Sequence, residues 1–463
     1  MSTDKLAVFS FNCWGLQFVA KHRRFRIEEI AKFISTQDYD IITLQEVWVW
    51  SDFEYIKEAV QHKLPYFKYF YSGALGSGLV ILSRLPIIAS SFHRFGLNGR
   101  PLMILHGDYY VGKGVGSALI DHPTLGLLEV FNTHLHAGYG PKDRYKAHRA
   151  TECWQLSNIL RASAAMGRHI IMSGDFNSMP DTFNYHLIRD HGFMTDSWLQ
   201  LHGIPDPQQF NMDQLTPSSY TQYFGYTCNS PFNSFSRYYD NGSNKNALEL
   251  LGKRLDYIFY RYSPQLRCVA SKVVLDEMIP DSGMSYSDHF GVVSYFNIDS
   301  TISSDPKDDK KQPFAPTPSQ LCHPSFTALE PSEIQDILSA LYEDQKIAKA
   351  NAHRLLSLLV TFFFIVWILY VIIIVLPITL RSLERSDLVT ILVPVFGGFF
   401  MVVISALLPV LLIVGFVFGH TEQRALRQYI DEIETFKNNI ETFTATTVTT
   451  TNNNPDSLTI KIH

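Results

Sequence analysis

Short apolar runs of strand length recur through the first three hundred residues. They are LAVFSF (6–11), DIITLQ (40–45), GLVILS (78–83), LLEVFNTHL (127–135), HIIMSGDF (169–176), LDYIFY (255–260) and HFGVVSYF (289–296). Between the first two, the segment Arg23–Ile34 sets Phe25, Ile30, Phe33 and Ile34 on one helical face. Tyr145–Ile159 repeats that spacing less cleanly. Strands mixed with amphipathic helices predict an α/β domain over residues 1–300, with both helical faces in its core.

The pattern then changes. Residues 301–326, TISSDPKDDKKQPFAPTPSQLCHPSF, are rich in Pro, Ser, Asp and Lys without periodicity, which predicts a flexible linker. Residues 327–354 predict a helix, with Ser332 as its cap. Two uncharged apolar stretches follow, 355–380 and 388–419. Each exceeds the roughly 20 residues that cross a bilayer core. Their prolines and glycines (Pro377, Pro394, Gly397, Gly398, Pro409) are tolerable inside such a span. The connector RSLERSD is short, so the spans form a transmembrane hairpin with both outer ends on one side. Lys346, Lys349, Arg354, Arg424 and Arg427 flank it, a modest bias that places those ends in the cytosol. Over 420–445, Leu426, Tyr429, Ile433, Phe436, Ile440 and Phe443 step by three and four. That seam suits pairing with the 327–354 helix, a homodimer through the C-terminal helices, or an amphipathic helix lying on the bilayer. The low-complexity tail 446–463 is expected to be disordered.

Charge narrows the function classes. The chain carries a formal net charge of −5, and residues 1–300 hold 27 Lys+Arg against 28 Asp+Glu. No basic excess marks a nucleic-acid partner. Five scattered cysteines without C-x-x-C spacing argue against a disulfide framework or a zinc site. The N-terminus lacks a charged leader before a long apolar run, so no secretory signal is expected and residues 1–300 are expected to face the cytosol.

Polar residues gather where the apolar runs end. Asn12, Glu46, His134, Asp175 and Asn177 each close or follow one, and Asp288 and His289 precede the last. Strand ends carry the site in α/β architectures. Carboxylates, amides and imidazoles without thiols suit Mg²⁺ better than zinc. Asp175 and Asn177, at i and i+2, point to one side of an extended backbone. There one can orient an attacking water while the other donates to a phosphoryl oxygen. His289 can act as general base, given an acid to orient it. Asp256 is the candidate, with a turn or an ion pair to Arg254 as its structural alternative.

The ordered set FNCWG, LQEVW, NTHLH, GDFNSMP, RLDYIFY and SDHF resembles the endonuclease/exonuclease/phosphatase superfamily. The resemblance covers about residues 5–298. It implies a deoxyribonuclease-I-like fold, a four-layer α/β/β/α sandwich of two mixed sheets, here followed by the two-helix transmembrane hairpin. It further implies that Glu46 holds a catalytic Mg²⁺ with Asn12 nearby, and that His289 activates water, oriented by Asp256. Asp175, Asn177 and His134 would position water and stabilise charge on phosphorus, with Asp288 supporting the metal side. The segments NCWGLQFVAKHRRFRI, NGRPLMILHGDYYVGKG and NTHLHAGY are similar to the neutral sphingomyelinase branch, and closer still to its inositol phosphosphingolipid phospholipase C members. Those also end in two transmembrane helices. The implied reaction is phospholipase C-type: hydrolysis of a sphingolipid to ceramide and a phosphorylated head group, at an endoplasmic reticulum, mitochondrial or plasma membrane, with anionic phospholipids as activators. A same-fold inositide phosphatase or nuclease, and a catalytically inactive membrane-tethered binding protein, are the rival readings.

Three segments stay open on sequence grounds. GDYYVGKG (107–114) fits a nucleotide P-loop except at Gly114, where Ser or Thr should bind magnesium. LMILH before it could supply the required strand, but GVGSALI after it is a poor helix start. The resemblance instead makes Asp108 and Lys113 a lipid-responsive pair beside a substrate phosphate, with His136 added to the substrate-binding side. A structural salt bridge is the plain alternative. The aromatic-rich segment 220–239 could dip into the membrane interface or pack on the domain. The basic run KHRRFR (21–26) could read an anionic head group or simply start a helix in solvent.

Overall fold

All seven apolar runs form strands in the computed structural model, which describes residues 4–139, 143–206, 216–236, 252–299, 329–382 and 387–453. Five further strands join them, giving twelve among the described residues. One six-stranded sheet has the order β11-β12-β1-β2-β4-β3, built from Leu266–Val274, Gly291–Ile298, Asp4–Asn12, Ile41–Gln45, Val80–Ser83 and Tyr66–Tyr69. The other has the order β5-β6-β7-β8-β10-β9, from Ile87–Arg94, Gly114–His122, Gly126–His134, His169–Asp175, Asp256–Tyr260 and Thr195–Asp196. Each sheet is mixed, with one parallel pair (β1 with β2, β7 with β8) among antiparallel neighbours.

Alternation along β1 explains the layering. Ala7, Phe9 and Phe11 face α1 (Arg23–Thr36) and α2 (Trp50–Val60), meeting Ile30, Ile34, Phe53 and Ile56. Leu6 and Val8 face the other way, into the space between the sheets, with Ile120, Val130, Ile171 and Ile258. α4 (Lys146–Ala165) buries one side beside β8. Helix, sheet, sheet, helix is the expected four-layer sandwich. A polar seam stitches the two sheets: Gln45 donates to Asn132 at 2.8 Å, Asn132 to the Leu44 carbonyl at 2.8 Å, and Thr43 meets Ser173 at 2.8 Å.

Several details differ from the pattern reading. Phe25 is largely exposed; the buried face of α1 is Arg26, Ile27, Ile30, Ala31 and Ile34, one position over. LMILH is not a strand: Ile104–His106 form one 3₁₀ turn in an exposed segment. Within 220–236 the aromatics pack on the domain, with Tyr220 and Phe224 buried and Phe235 against Trp14 at 4.9 Å. α7 (Pro217–Phe224), closed by a Thr216–Ser219 capping box, fixes that segment.

From Pro331 the chain forms a second compact unit. One helix runs unbroken from Pro331 to Ser382, a second spans Asp387–Leu412, a π-helical turn covers Ile413–Phe418, and a third helix runs Gly419–Asn453. The third helix packs along the first: Tyr342 donates to Glu434 at 2.5 Å, Lys437 to Gln335 at 3.1 Å, and Leu426, Tyr429 and Ile433 are buried. The stepped seam is therefore occupied within the chain. Helix continues through 446–453, where disorder was expected, because the turn propagates from the packed segment upstream. The linker 301–326 and residues 454–463 lie outside the described residues. Both apolar stretches are long enough to cross a membrane, and their large side chains, Phe363, Trp367, Phe396 and Phe399 among them, are exposed.

Candidate active site

Pairing register brings the chemistry together. His134 on β7, Asp175 on β8 and Asp256 on β10 are direct neighbours across three strands. His134 Nε2 lies 3.5 Å from Asp175 Oδ2. Gly174 makes this row fit: at φ +146°, a Cβ there would meet the Thr133 carbonyl oxygen at 2.0 Å. In the facing sheet, Asn12 ends β1 beside the end of β2, and Glu46 follows β2 with a left-handed backbone, φ +59°. Such a conformation is strained for Glu. Its carbonyl is held by the Gly15 N–H at 3.0 Å. Asn12 bridges the sheets, donating from Nδ2 to Asp175 at 3.0 Å and to Glu46 at 3.3 Å. Its own carbonyl oxygen accepts the Trp14 N–H at 3.0 Å, so Asn12 orients Glu46.

His289 enters from the opposite direction. Phe290 N–H donates to the Thr227 carbonyl at 2.6 Å, and Cys228 bridges His289. His289 Nδ1 lies 2.8 Å from Asp256 Oδ2, leaving Nε2 3.8 Å from Asp175. Asp256 is thus the orienting acid. Arg254 pairs instead with Asp196 at 2.6 Å, which removes the structural alternative for Asp256. Asn177, also left-handed at φ +46°, is fixed by Asp175 Oδ1 at its backbone and by the Leu135 carbonyl at its amide, 3.0 Å.

The electrostatics call for a cation. Burial and the facing Asp288 push Glu46 up to about 7; burial and Asp256 push Asp175 up to about 6; burial also raises Asp288. Burial lowers His289, but Asp256, Cys228 and Asp175 outweigh it and hold the imidazole well above its usual value. Burial keeps His134 neutral. Asp256 Oδ1 and His134 Nδ1 are buried without partners. Crowded carboxylate oxygens fit a hard divalent ion, and the Cys228 thiol lies on the His289 side of the cluster. Within this site, Asp175, Asp256 and His289 form a cation-sized cluster. It coincides with the imidazole–carboxylate pair needed for proton transfer, so Glu46, with Asp288 facing it, is the better metal position.

The 107–114 segment is not a nucleotide loop. Asp108–Val111 form a single helical turn (α3), and Lys113 leads straight into β6. Lys113 is buried, 3.1 Å from Asp108 and 3.0 Å from the Leu135 carbonyl. Tyr139 donates to Asp108 at 2.7 Å, and His136 Nε2 lies 3.8 Å from it. The plain salt bridge exists, and its charge also acts on Glu46, Asp175 and His134.

One site-building residue escaped the sequence. Arg26, inside the basic run, is fully buried and donates to the carbonyls of Lys21, Cys13, Trp14 and Tyr286 at 2.7–3.0 Å. It ties the chain after Asn12 to the chain before Asp288. No periodicity marks such a residue; only its position on the buried face of α1 betrays it.

The model of the endonuclease/exonuclease/phosphatase family matches residues 9–289, a span that holds every residue of this cluster. The chain belongs to that family. Inositol phosphosphingolipids phospholipase C of Schizosaccharomyces pombe is 40% identical over 309 residues, 64% of this chain and 70% of that protein. Sphingomyelin phosphodiesterase 2 of Homo sapiens is 33% identical over 208 residues, 45% of this chain and 49% of that protein. Among solved structures, sphingomyelinase C from Streptomyces griseocarneus aligns with a TM-score of 0.43 at 16% identity, over 64% of this chain and all of that one. The chain is a hydrolase of this family, as its motifs led us to expect.

Proposed function

We propose that the chain is a membrane-anchored, Mg²⁺-dependent phospholipase C-type phosphodiesterase, hydrolysing inositol phosphosphingolipids or sphingomyelin to ceramide and a phosphorylated head group. The observation that carries the reaction class is the 2.8 Å contact between His289 Nδ1 and Asp256, with Nε2 left facing the Asp175 and His134 row. The substrate class rests on the names of the two relatives above.

The residues divide the work. Glu46, kept in line by Asn12 and faced by Asp288, would hold Mg²⁺, which supplies positive charge to polarise the phosphoryl group. His289 takes a proton from water through Nε2, while Asp256 fixes the ring and stabilises the imidazolium that forms. The water oxygen attacks phosphorus as the bond to the ceramide oxygen breaks. Ceramide is reprotonated from solvent, so the elements of water add across one P–O bond. Asp175 and Asn177 orient that water, and the neutral His134 and the Asn177 amide donate toward the charge developing on phosphorus. On the substrate side Lys113, held in place by Asp108 with His136 beside it, supplies the positive charge that biases the site toward anions. Two apolar helices would keep the enzyme on the membrane that contains its substrate, raising the effective concentration. The catalytic unit and both outer ends of the hairpin would lie in the cytosol.

Purified full-length protein should release ceramide from phosphosphingolipid vesicles when Mg²⁺ is present, and His289→Ala should abolish release. Turnover of inositides or nucleic acid in place of phosphosphingolipid would move the chain to another branch of its family.

A further inference from the structure

The catalytic unit carries an uneven distribution of exposed apolar side chains. Of the six most exposed large apolar residues among its described residues, five lie in three loops at the rim of the catalytic cluster: Leu105 (99%), Phe18 (98%), Tyr71 (71%), Ile104 (66%) and Val19 (63%). Ile204 is the sixth. Isolated exposed apolar residues are ordinary, but a cluster of them marks an interaction surface.

Contacts tie the 71–75 and 101–106 loops to each other, and the 16–24 loop to the site. Phe18 and Val19 follow Gly15, whose N–H holds the Glu46 carbonyl. Tyr71 stacks on Trp50, and the next residues of its loop, Ala74 and Leu75, donate to the Tyr110 carbonyl at 2.7 and 3.2 Å. Tyr110 in turn donates to the Pro101 carbonyl at 2.7 Å, closing the loop that presents Ile104 and Leu105. The same loop continues into Asp108 and Lys113, and Tyr139 donates to the His106 carbonyl at 2.6 Å. These side chains are held by a scaffold of hydrogen bonds, yet nothing among the described residues of the catalytic unit covers them.

Charge indicates the occupant. Lys21 and Arg24 lie exposed within five residues after Val19, Arg24 in a solvent-exposed pair with Glu28. Aliphatic and aromatic tips beside solvent-exposed cations suit the head-group boundary of a bilayer, where rings and branched chains enter the acyl edge and Lys or Arg meet lipid phosphates.

The geometry points to the three loops 16–24, 71–75 and 101–106 as a membrane-penetrating rim that seats the active-site mouth on the bilayer surface. The inference rests on the phosphosphingolipid reading for its purpose: a two-chain substrate then reaches Glu46 and His289 with its scissile phosphate at head-group depth, without leaving the membrane. The aromatic segment 220–239, for which the sequence left both a membrane-dipping and an inward-packing reading open, packs inward over its described residues 220–236.

The test uses full-length protein in proteoliposomes that include anionic phospholipid. Leu105→Cys is labelled with an environment-sensitive fluorophore and challenged with lipids that carry a quencher just below the head groups. The control is Leu127→Cys, which is also exposed and apolar but sits at the far end of β7 from His134. The label at 105 should be quenched and the label at 127 should not. Equal quenching, or none at 105, overturns the rim. This readout needs no turnover, so it stands apart from the success or failure of the phosphosphingolipid reading. In parallel, Leu105→Asp and Phe18→Asp should each lower turnover of bilayer substrate about tenfold while leaving turnover of a short-chain substrate dispersed in detergent within about twofold. Equal loss on both substrates, or loss on neither, overturns it as well.

Discussion

Asp175 and Asp256 face each other directly across β8 and β10. Like charges so placed cost about 0.2–1 kcal/mol, and burial adds to that. The fold keeps them because each has separate work: Asp256 holds His289, and Asp175 organises Asn12, Asn177 and His134. Asp256→Asn should lower kcat by about 10²–10⁴-fold, since the imidazole loses its orienting charge. The sign of the pH effect follows. Burial pulls the His289 pKa down and Asp256 is the largest influence raising it, so removing that charge lowers the pKa. The acid limb of the pH–rate profile should move to lower pH; an unmoved limb would separate Asp256 from His289. Arg26 makes a different prediction. Arg26→Ala strands several buried carbonyls and should cost about 3 kcal/mol of stability, read as thermal unfolding in detergent. Arg26→Lys keeps the charge but not the fork, and should fall between.

At the scale of elements, what the sequence revealed follows burial. The seven legible strands are all inner ones, where both faces are covered and apolar runs are continuous; the eighth inner strand, the Gly-rich β6, was missed. The strands that pattern reading missed include all four sheet edges, β3, β5, β9 and β11. Edge strands are solvated on one side or short, so polar residues interrupt their apolar signal, as in IIASSFHR of β5. Every expected site residue except Asp108, on the α3 turn, lies at or near the end of an inner strand, which is why the constellation could be read at all. Arg26 could not, because a buried Arg looks like its exposed neighbours in a basic run. The left-handed backbone of Glu46 and Asn177 is equally silent in sequence. Gly174, by contrast, has a cost that can be tested. Gly174→Ala should displace the β7–β8 pairing beside Asp175, costing about 2–4 kcal/mol together with most of the activity. Unchanged stability would contradict the close approach to Thr133.

For the whole molecule, the family fold supplies the chemistry and the C-terminal helices, on the proposed reading, supply the place. If the two apolar helices span a bilayer, alkaline carbonate washing should leave the full chain in the membrane pellet, whereas a peripheral protein would be released. The central claim joins both parts: a metal-assisted phosphodiesterase acting on a lipid that does not leave its membrane. Its most direct test is ceramide release from phosphosphingolipid proteoliposomes by the purified full-length protein, followed with Mg²⁺, after chelation, after restoring Mg²⁺, and with Glu46→Ala. The account predicts release that chelation abolishes and Mg²⁺ restores, and none from the variant even with Mg²⁺. Release that persists in chelator, or at near-normal rate in Glu46→Ala, would contradict it.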